Sequence, residues 1–307
     1  MRGPRCGGAV LAGAPGRPEK LLKPDPHGAH GDELLAGPES PVKPVRLGDA
    51  RIHIGTSGWH YKHWIGDFYP ERYPPAKMLS WYSREFHTVE INNSFYRLPE
   101  AKTFEEWGKG VPPGFMFAVK ASRFLTHLKR LKDAADPIQL FFSRANHLRE
   151  HLGPVLFQLP PKWRADVCRL REFLSVLPPN RQYSIEFRDD SWHTDAVYDL
   201  LRQHNIALCL HDWRALAWSH ILTANFTYIR FHGTTGRYAG NYPEPLLRSW
   251  ANKIQLWARD LSEVFAYFNN DVGGHAIRNA RTLLGLLREV SNPPNLSISR
   301  PTSDQAA

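Results

Sequence analysis

The sequence predicts an α/β protein, a single (β/α)8 TIM-barrel-like domain behind a disordered N-terminal extension, on three observations. Eight short β-rich runs, Ile52–Ser57, Thr88–Asn92, Met116–Ser122, Val155–Leu159, Tyr183–Arg188, Ala207–His211, Thr227–His232 and Val264–Asn269, begin 20 to 39 residues apart. That spacing suits parallel strands joined by crossover helices. Polar residues close almost every run, at the strand ends where such a barrel keeps its chemistry. The 10 Trp, 16 Phe and 11 Tyr all fall within residues 49–290, which marks the part able to bury a core. A doubly wound open sheet is the alternative topology.

Taken in order, residues 1–48 hold nine Gly, eight Pro and no aromatic residue, without helical or strand periodicity, and are predicted to be disordered. Arg2 and Arg5 precede Ala9-Val10-Leu11-Ala12, an apolar run too short and too soon broken by glycine for a signal peptide. A cytoplasmic location follows. The core domain spans 49–290, and 291–307 read as a second disordered tail. Asp136-Pro137 has the pattern of an N-cap followed by proline at the first helical position. Leu246, Trp250, Ile254, Trp257 and Leu261 recur at helical spacing before the last strand. Gly273-Gly274 precede a helix from His275 to Glu289. No stretch approaches about 20 consecutive apolar residues, so a membrane span is excluded. Cys6, Cys168 and Cys209 are too few and too scattered for a disulfide scaffold or a cysteine-based zinc module.

The formal net charge is +9, of which residues 1–48 carry +2 and 291–307 carry none, leaving +7 in the core. A cation surplus there favours an anionic partner, either a small ligand or nucleic acid. Period-two alternation refines the choice. In the fifth strand Ser184, Glu186 and Arg188 share one face while Ile185 and Phe187 share the other. In the seventh, Tyr228, Arg230 and His232 oppose Ile229 and Phe231, and in the third Lys120 and Ser122 oppose Phe117 and Val119. Apolar residues face the helices, so the charged set faces the interior. A buried ion-pair layer without chemistry is the plain alternative.

The expected site is an anion-binding mouth at the C-terminal strand ends. Lys120, Arg188 and Arg230 bind and polarise the anion, Glu186 or Asp212 acts as general base, and His211 or His232 moves the proton. Glu90, Asn92, Tyr96, His127, Asn270 and Asp271 complete the substrate-binding set. Arg237 and Tyr238 join it from the glycine-rich loop Gly233–Tyr242, which with the helix after Gly273-Gly274 provides amides for phosphate. Hydrolysis of a phosphate ester is the matching reaction class. With cations among the carboxylates no cofactor is predicted, a divalent metal being the lesser alternative. Two further readings compete: a non-catalytic nucleic-acid-binding barrel using the aromatic loop Trp59–Pro70 for stacking, and a glycoside hydrolase using Glu90 and Glu186. That loop equally has the composition of a packed lid.

Several motifs carry a resemblance. Ile54-Gly55-Thr56-Ser57-Gly58-Trp59, Val89-Glu90-Ile91-Asn92-Asn93-Ser94-Phe95-Tyr96-Arg97-Leu98-Pro99, Phe117-Ala118-Val119-Lys120-Ala121-Ser122, Gln158-Leu159-Pro160-Pro161, Glu186-Phe187-Arg188, Arg230-Phe231-His232-Gly233 and Tyr267-Phe268-Asn269-Asn270-Asp271 follow one another in an order that resembles the YecE-like proteins, long labelled a domain of unknown function. The resemblance implies a TIM barrel and no particular activity. The dense histidine and carboxylate zinc cluster of repair endonuclease barrels, to which that barrel has been likened, is absent from the sequence.

Overall fold

Nine strands form one mixed sheet: β1 (Val45–Leu47), β2 (Ala50–Thr56), β3 (Thr88–Ile91), β4 (Met116–Lys120), β5 (Leu152–Gln158), β6 (Tyr183–Glu186), β7 (Ala207–His211), β8 (Phe226–Phe231) and β9 (Glu263–Phe268). The computed structural model describes residues 42–212, 221–236 and 238–291. The predicted disorder of 1–41 and 292–307 and the predicted role of Arg237 lie outside the described residues. Strands β2–β9 coincide with the eight predicted runs and pair in parallel with their sheet neighbours, whereas β1 pairs antiparallel with β2. Val45–Leu47 falls inside the segment assigned to the extension, because three residues are too few to show alternation.

The predicted closed (β/α)8 TIM barrel is not what forms. The sheet order is β1-β2-β9-β8-β7-β6-β5-β4-β3, a curled half-barrel whose first and last parallel strands, β2 and β3, share no continuous ladder. They meet through one isolated bridge, Ser57 with Glu90, and one amide bond, Gly58 N–H to the Glu90 carbonyl at 2.8 Å. Two residues explain the open seam. Tyr82, from helix α1 (Met78–Tyr82), places its hydroxyl between the strands: it accepts from the Thr56 N–H at 3.0 Å and donates to the Thr88 carbonyl at 3.1 Å. A phenol thus takes the place of direct backbone pairing. Gly55 lets the chains approach there, since a Cβ on it would stand 2.3 Å from the Thr88 oxygen. Eight β-rich runs with helical connections therefore pointed to the α/β class without establishing closure.

The other α-helices are α2 (Asn93–Tyr96), α3 (Ala101–Lys109), α4 (Ala135–Ala145), α5 (Val167–Ser175), α6 (Asp195–Gln203), α7 (Glu244–Trp257) and α8 (His275–Ser291), with short 3-10 turns between elements and a π-turn at Phe124–Leu128 after β4. Their apolar faces pack on the outward residues of the strands, as Leu247, Trp250, Ile254 and Trp257 of α7 do. Leu246 is exposed instead and Leu261 lies beyond the helix. The cap of α4 falls on Ala134, so Asp136 sits in the first turn, where its carboxylate still opposes the helix dipole.

Alternation divides the strands as expected. Ala118, Leu156, Ala207, Cys209, Phe226, Tyr228, Phe265 and Tyr267 form a second apolar cluster on the concave face. Polar groups lie beyond it at both ends: His53 and Glu263 toward the strand N-termini, Glu90, Glu186 and Arg230 toward the C-termini.

Candidate functional site

The strand register builds the mouth. Glu186 ends β6, Glu90 and Arg230 lie one residue from the ends of β3 and β8, and all three side chains are fully buried. The Arg230 guanidinium spans the interior, donating to Glu90 at 2.8 Å and to Glu186 at 2.7 Å, with a longer bond to Gln158 at 3.4 Å. Glu90 also accepts from Ser57 Oγ at 2.6 Å and from the Tyr228 hydroxyl at 2.7 Å. Arg188 pairs with the other oxygen of Glu186 and donates to His232 Nε2 at 3.0 Å. Burial pushes the Glu186 carboxyl up, but Arg188 and Arg230 more than offset it and hold it well below the ordinary value. Glu186 therefore stays ionised. Burial drives His232 down to about 3 and His211 to about 4, so both rings are neutral at pH 7.

Lys120 differs from the two arginines. It ends β4 on the concave side, and no carboxylate among the described residues lies within ion-pair distance of its ammonium. What faces it is the Phe95 ring, 4.2 Å from Nζ to centroid. The sequence folds this way locally because β3 and β4 run in register, Ile91 beside Val119. The next residue, Asn92, leads into α2, which crosses the end of β4 and is tied down by Ser94 Oγ donating to the Lys120 carbonyl at 2.6 Å. Burial first, then Arg230, push Lys120 down to about 7 against the opposing pull of Glu186 and Glu90.

Around this lysine the mouth is aromatic and polar. His127, on the π-turn, packs edge-on against Phe95 at 5.0 Å, and its Nδ1 is 2.9 Å from Thr126 Oγ1. Burial, then Lys120, lower its pKa to about 4. Tyr96 is 74% exposed at the rim. Asn92 Oδ1 and Arg230 Nε are buried without a hydrogen-bond partner, a costly state that water or a ligand would relieve. Phe95 carried no site assignment in the sequence reading. Its only signal is its place two residues past Asn93, directly over a strand end.

Other predicted residues hold loops together. Asp212 accepts from the His232 N–H at 2.8 Å and from the Tyr242 hydroxyl, and burial raises its pKa against that second bond. His211 Nε2 lies 3.0 Å from the Phe187 carbonyl. Asn270 donates to the Gly240 carbonyl at 2.9 Å and to Asn279 at 2.8 Å, leaving its own buried Oδ1 unpartnered. Asp271 accepts from Trp64 Nε1 at 2.7 Å and pairs with His63 at 2.7 Å. Tyr238 lays its ring near His232, and its carbonyl accepts from the Val272 N–H at 3.1 Å.

The expected phosphate loop is internally engaged: the Gly233 N–H donates to Tyr242 Oη at 2.7 Å, Thr235 to the Ala239 carbonyl at 3.3 Å and Tyr242 to Asn279 at 3.2 Å. Gly233 and Gly240 are needed there for positive φ, and a Cβ on Gly233 would stand 2.1 Å from the Ala239 oxygen. In the loop after β2, Trp59, Trp64, Phe68 and Tyr69 are buried, so its rings form a packed plug and are not available to stack on bases. Between Glu90 and Glu186 lies a guanidinium, which occupies the space a glycosidic bond would need. Among the described residues no three His, Cys, Asp or Glu side chains converge as a metal site, and no helix is long and apolar enough to cross a membrane.

Such a layout, helices outside a curled parallel sheet and charges collected past the carboxyl ends of its strands, defines an α/β domain with its polar groups at the strand C-termini. The sequence profile described as "Protein of unknown function DUF72" matches residues 53–304, and the chain belongs to that family. The motif resemblance thus holds at family level. Among its relatives is the UPF0759 protein YunF of Bacillus subtilis (strain 168), 28% identical over 284 residues, covering 77% of this chain and 94% of that one. The crystal structure of a DUF72 family protein from Thermotoga maritima MSB8 superposes with a TM-score of 0.71 at 29% identity, over 78% of this chain and 99% of that one. A DUF72 family protein from Enterococcus faecalis V583 shares the fold at 19% identity, with a TM-score of 0.68 over 77% of this chain and 95% of that one.

Proposed function

We propose that the chain binds a small anionic ligand, bearing a phosphate or carboxylate, at the C-terminal mouth of the sheet, with Lys120 as the cation that meets it. One observation carries this reading: Arg188 and Arg230 are matched by Glu90 and Glu186, whereas Lys120 is a third cation with no carboxylate at ion-pair distance among the described residues. A buried unpaired ammonium is costly, and an incoming anion supplies the missing charge. Asn92, Tyr96 and His127 line the approach. Glu186 anchors Arg188 and Arg230 rather than taking up a proton, because the two guanidiniums keep it ionised.

Titration calorimetry with pyrophosphate, glycerol 3-phosphate and pyruvate tests the proposal. At least one should bind the wild type and lose about tenfold or more in affinity to Lys120→Met, the order expected for removing a charge-assisted contact. Binding should also weaken above about pH 7, where Lys120 loses its proton. Undiminished binding to the variant, or none of the three binding the wild type, overturns the assignment.

A further inference from the structure

We infer that Lys120 is an amine nucleophile that forms a Schiff base with a carbonyl compound carrying a carboxylate or phosphate. The inference rests on the anion-binding reading and names the substrate class of that same site.

The choice of lysine is the first argument. A cation needed only to hold an anion is well served by arginine, which stays charged, and Arg188 and Arg230 hold carboxylates in that way at this mouth. Lysine is the residue whose proton the surroundings can remove. The surroundings here are of that kind: the ammonium is buried, faces an aromatic ring, has no carboxylate at ion-pair distance among the described residues, and shares its interior with two guanidiniums. Desolvation and neighbouring cations are the two means by which proteins activate a lysine amine. The Phe95 face favours the charged form, yet burial and Arg230 prevail, and Lys120 titrates at about 7. About half of the amine is then neutral at pH 7, roughly a thousandfold more than for an ordinary lysine.

The second argument is what stands nearby. Asn92, one residue past the strand that pairs with β4, has a buried Oδ1 with no hydrogen-bond partner. An acceptor in want of a donor suits a substrate hydroxyl, the group that forms when a carbonyl is attacked. His127, neutral and half-buried against the same Phe95 ring, is a base within that environment.

The step balances without an oxidant or reductant. The neutral Nζ lone pair attacks the carbonyl carbon, the C–N bond forms as the C=O π pair moves to oxygen, and that oxygen takes up the proton the nitrogen loses. The carbinolamine then expels its hydroxyl with the remaining nitrogen proton as water. The products are the imine and one water.

The test uses the full chain with pyruvate and, separately, glycolaldehyde phosphate, each with sodium cyanoborohydride, the adducts being mapped by peptide mass spectrometry. Acetone is the uncharged control. Expected is a reduced adduct on Lys120 with at least one anionic carbonyl, formed about tenfold or more faster than on any surface lysine. Its rate should level off near pH 7, and acetone should lag behind. Pyruvate and glycolaldehyde phosphate separate a carboxylate from a phosphate ligand. Adducts spread evenly over surface lysines, or a Lys120 rate still climbing toward pH 10, overturn the inference. Lys120→Arg keeps the cation and removes the nucleophile, so it should bind the calorimetric anions and form no adduct at position 120. If wild type and Lys120→Arg bind anions and wild type gives no adduct, only the Schiff base fails. If no anion binds either protein, the anion site fails with it.

Discussion

At the N-terminal end of the strands a single buried carboxylate, Glu263, is matched by Arg51 at 2.8 Å, His53 at 3.2 Å and Gln182 at 2.6 Å, whereas the C-terminal end holds two matched carboxylates and one surplus lysine. The lower cluster is closed. His87 Nε2 lies 3.0 Å from His53 Nδ1, and with Nε2–H of His53 directed at Glu263, one tautomer of each neutral ring satisfies the whole chain. Burial holds both histidines below their ordinary value, His87 well below it. None of these groups has an unpartnered buried atom, while the upper cluster has them on Asn92, Arg230 and Asn270. The two ends lie on the same concave face, separated by Tyr228, Phe265 and Tyr267. Burial and polarity alone therefore do not mark a functional site. Unmatched charge and unmet hydrogen bonds distinguish one from a structural layer.

The strongest way to break that contrast is Arg230→Met. It leaves Glu90 and Glu186 facing each other in the interior, and unfolding in urea should show a loss of about 3–5 kcal/mol. A variant as stable as the wild type would mean the network contributes nothing to the fold. A second effect appears with pH. The unfolded chain takes up protons on His53 and His87 as pH falls below about 6.5, while burial makes the folded chain take them up less readily, so stability should fall with acidification, by at most about 1.4 kcal/mol per pH unit for each. His211 and His232, lowered to about 4 and about 3, add to the same slope from the upper end. Urea midpoints between pH 7.5 and 5 should thus decline steadily, and less steeply in His53→Gln/His87→Gln. A flat profile contradicts buried neutral histidines. The smallest effect is expected at Lys120→Met, within about 1 kcal/mol of wild type, since an unpaired buried cation is replaced by an apolar side chain of similar length. A large destabilisation there would make Lys120 a structural residue like Arg230.

Much of this was readable from the chain. Along β8 and the residue after it, Tyr228, Arg230 and His232 alternate against Ile229 and Phe231, and that period alone assigned the polar set to the concave face. Gly233 and Gly240 announced a turn, though not that its amides would be engaged within the loop. Closure of the sheet was not readable, because it depends on Tyr82, a residue of a helix, placing one hydroxyl between Thr56 and Thr88. Nor was the matching of Arg230 with Glu90, which stands 140 positions away.

The sequence by itself determined the eight parallel strands, the faces their side chains take and the gathering of charge at their C-termini, since these follow from local periodicity and backbone chemistry. Tertiary structure alone decided that the sheet stays open at one seam, that two arginines are neutralised in pairs, and that Lys120 faces Phe95 with no carboxylate at ion-pair distance among the described residues. Pairing across the interior depends on distances between strands far apart in the chain, and no local pattern encodes those distances.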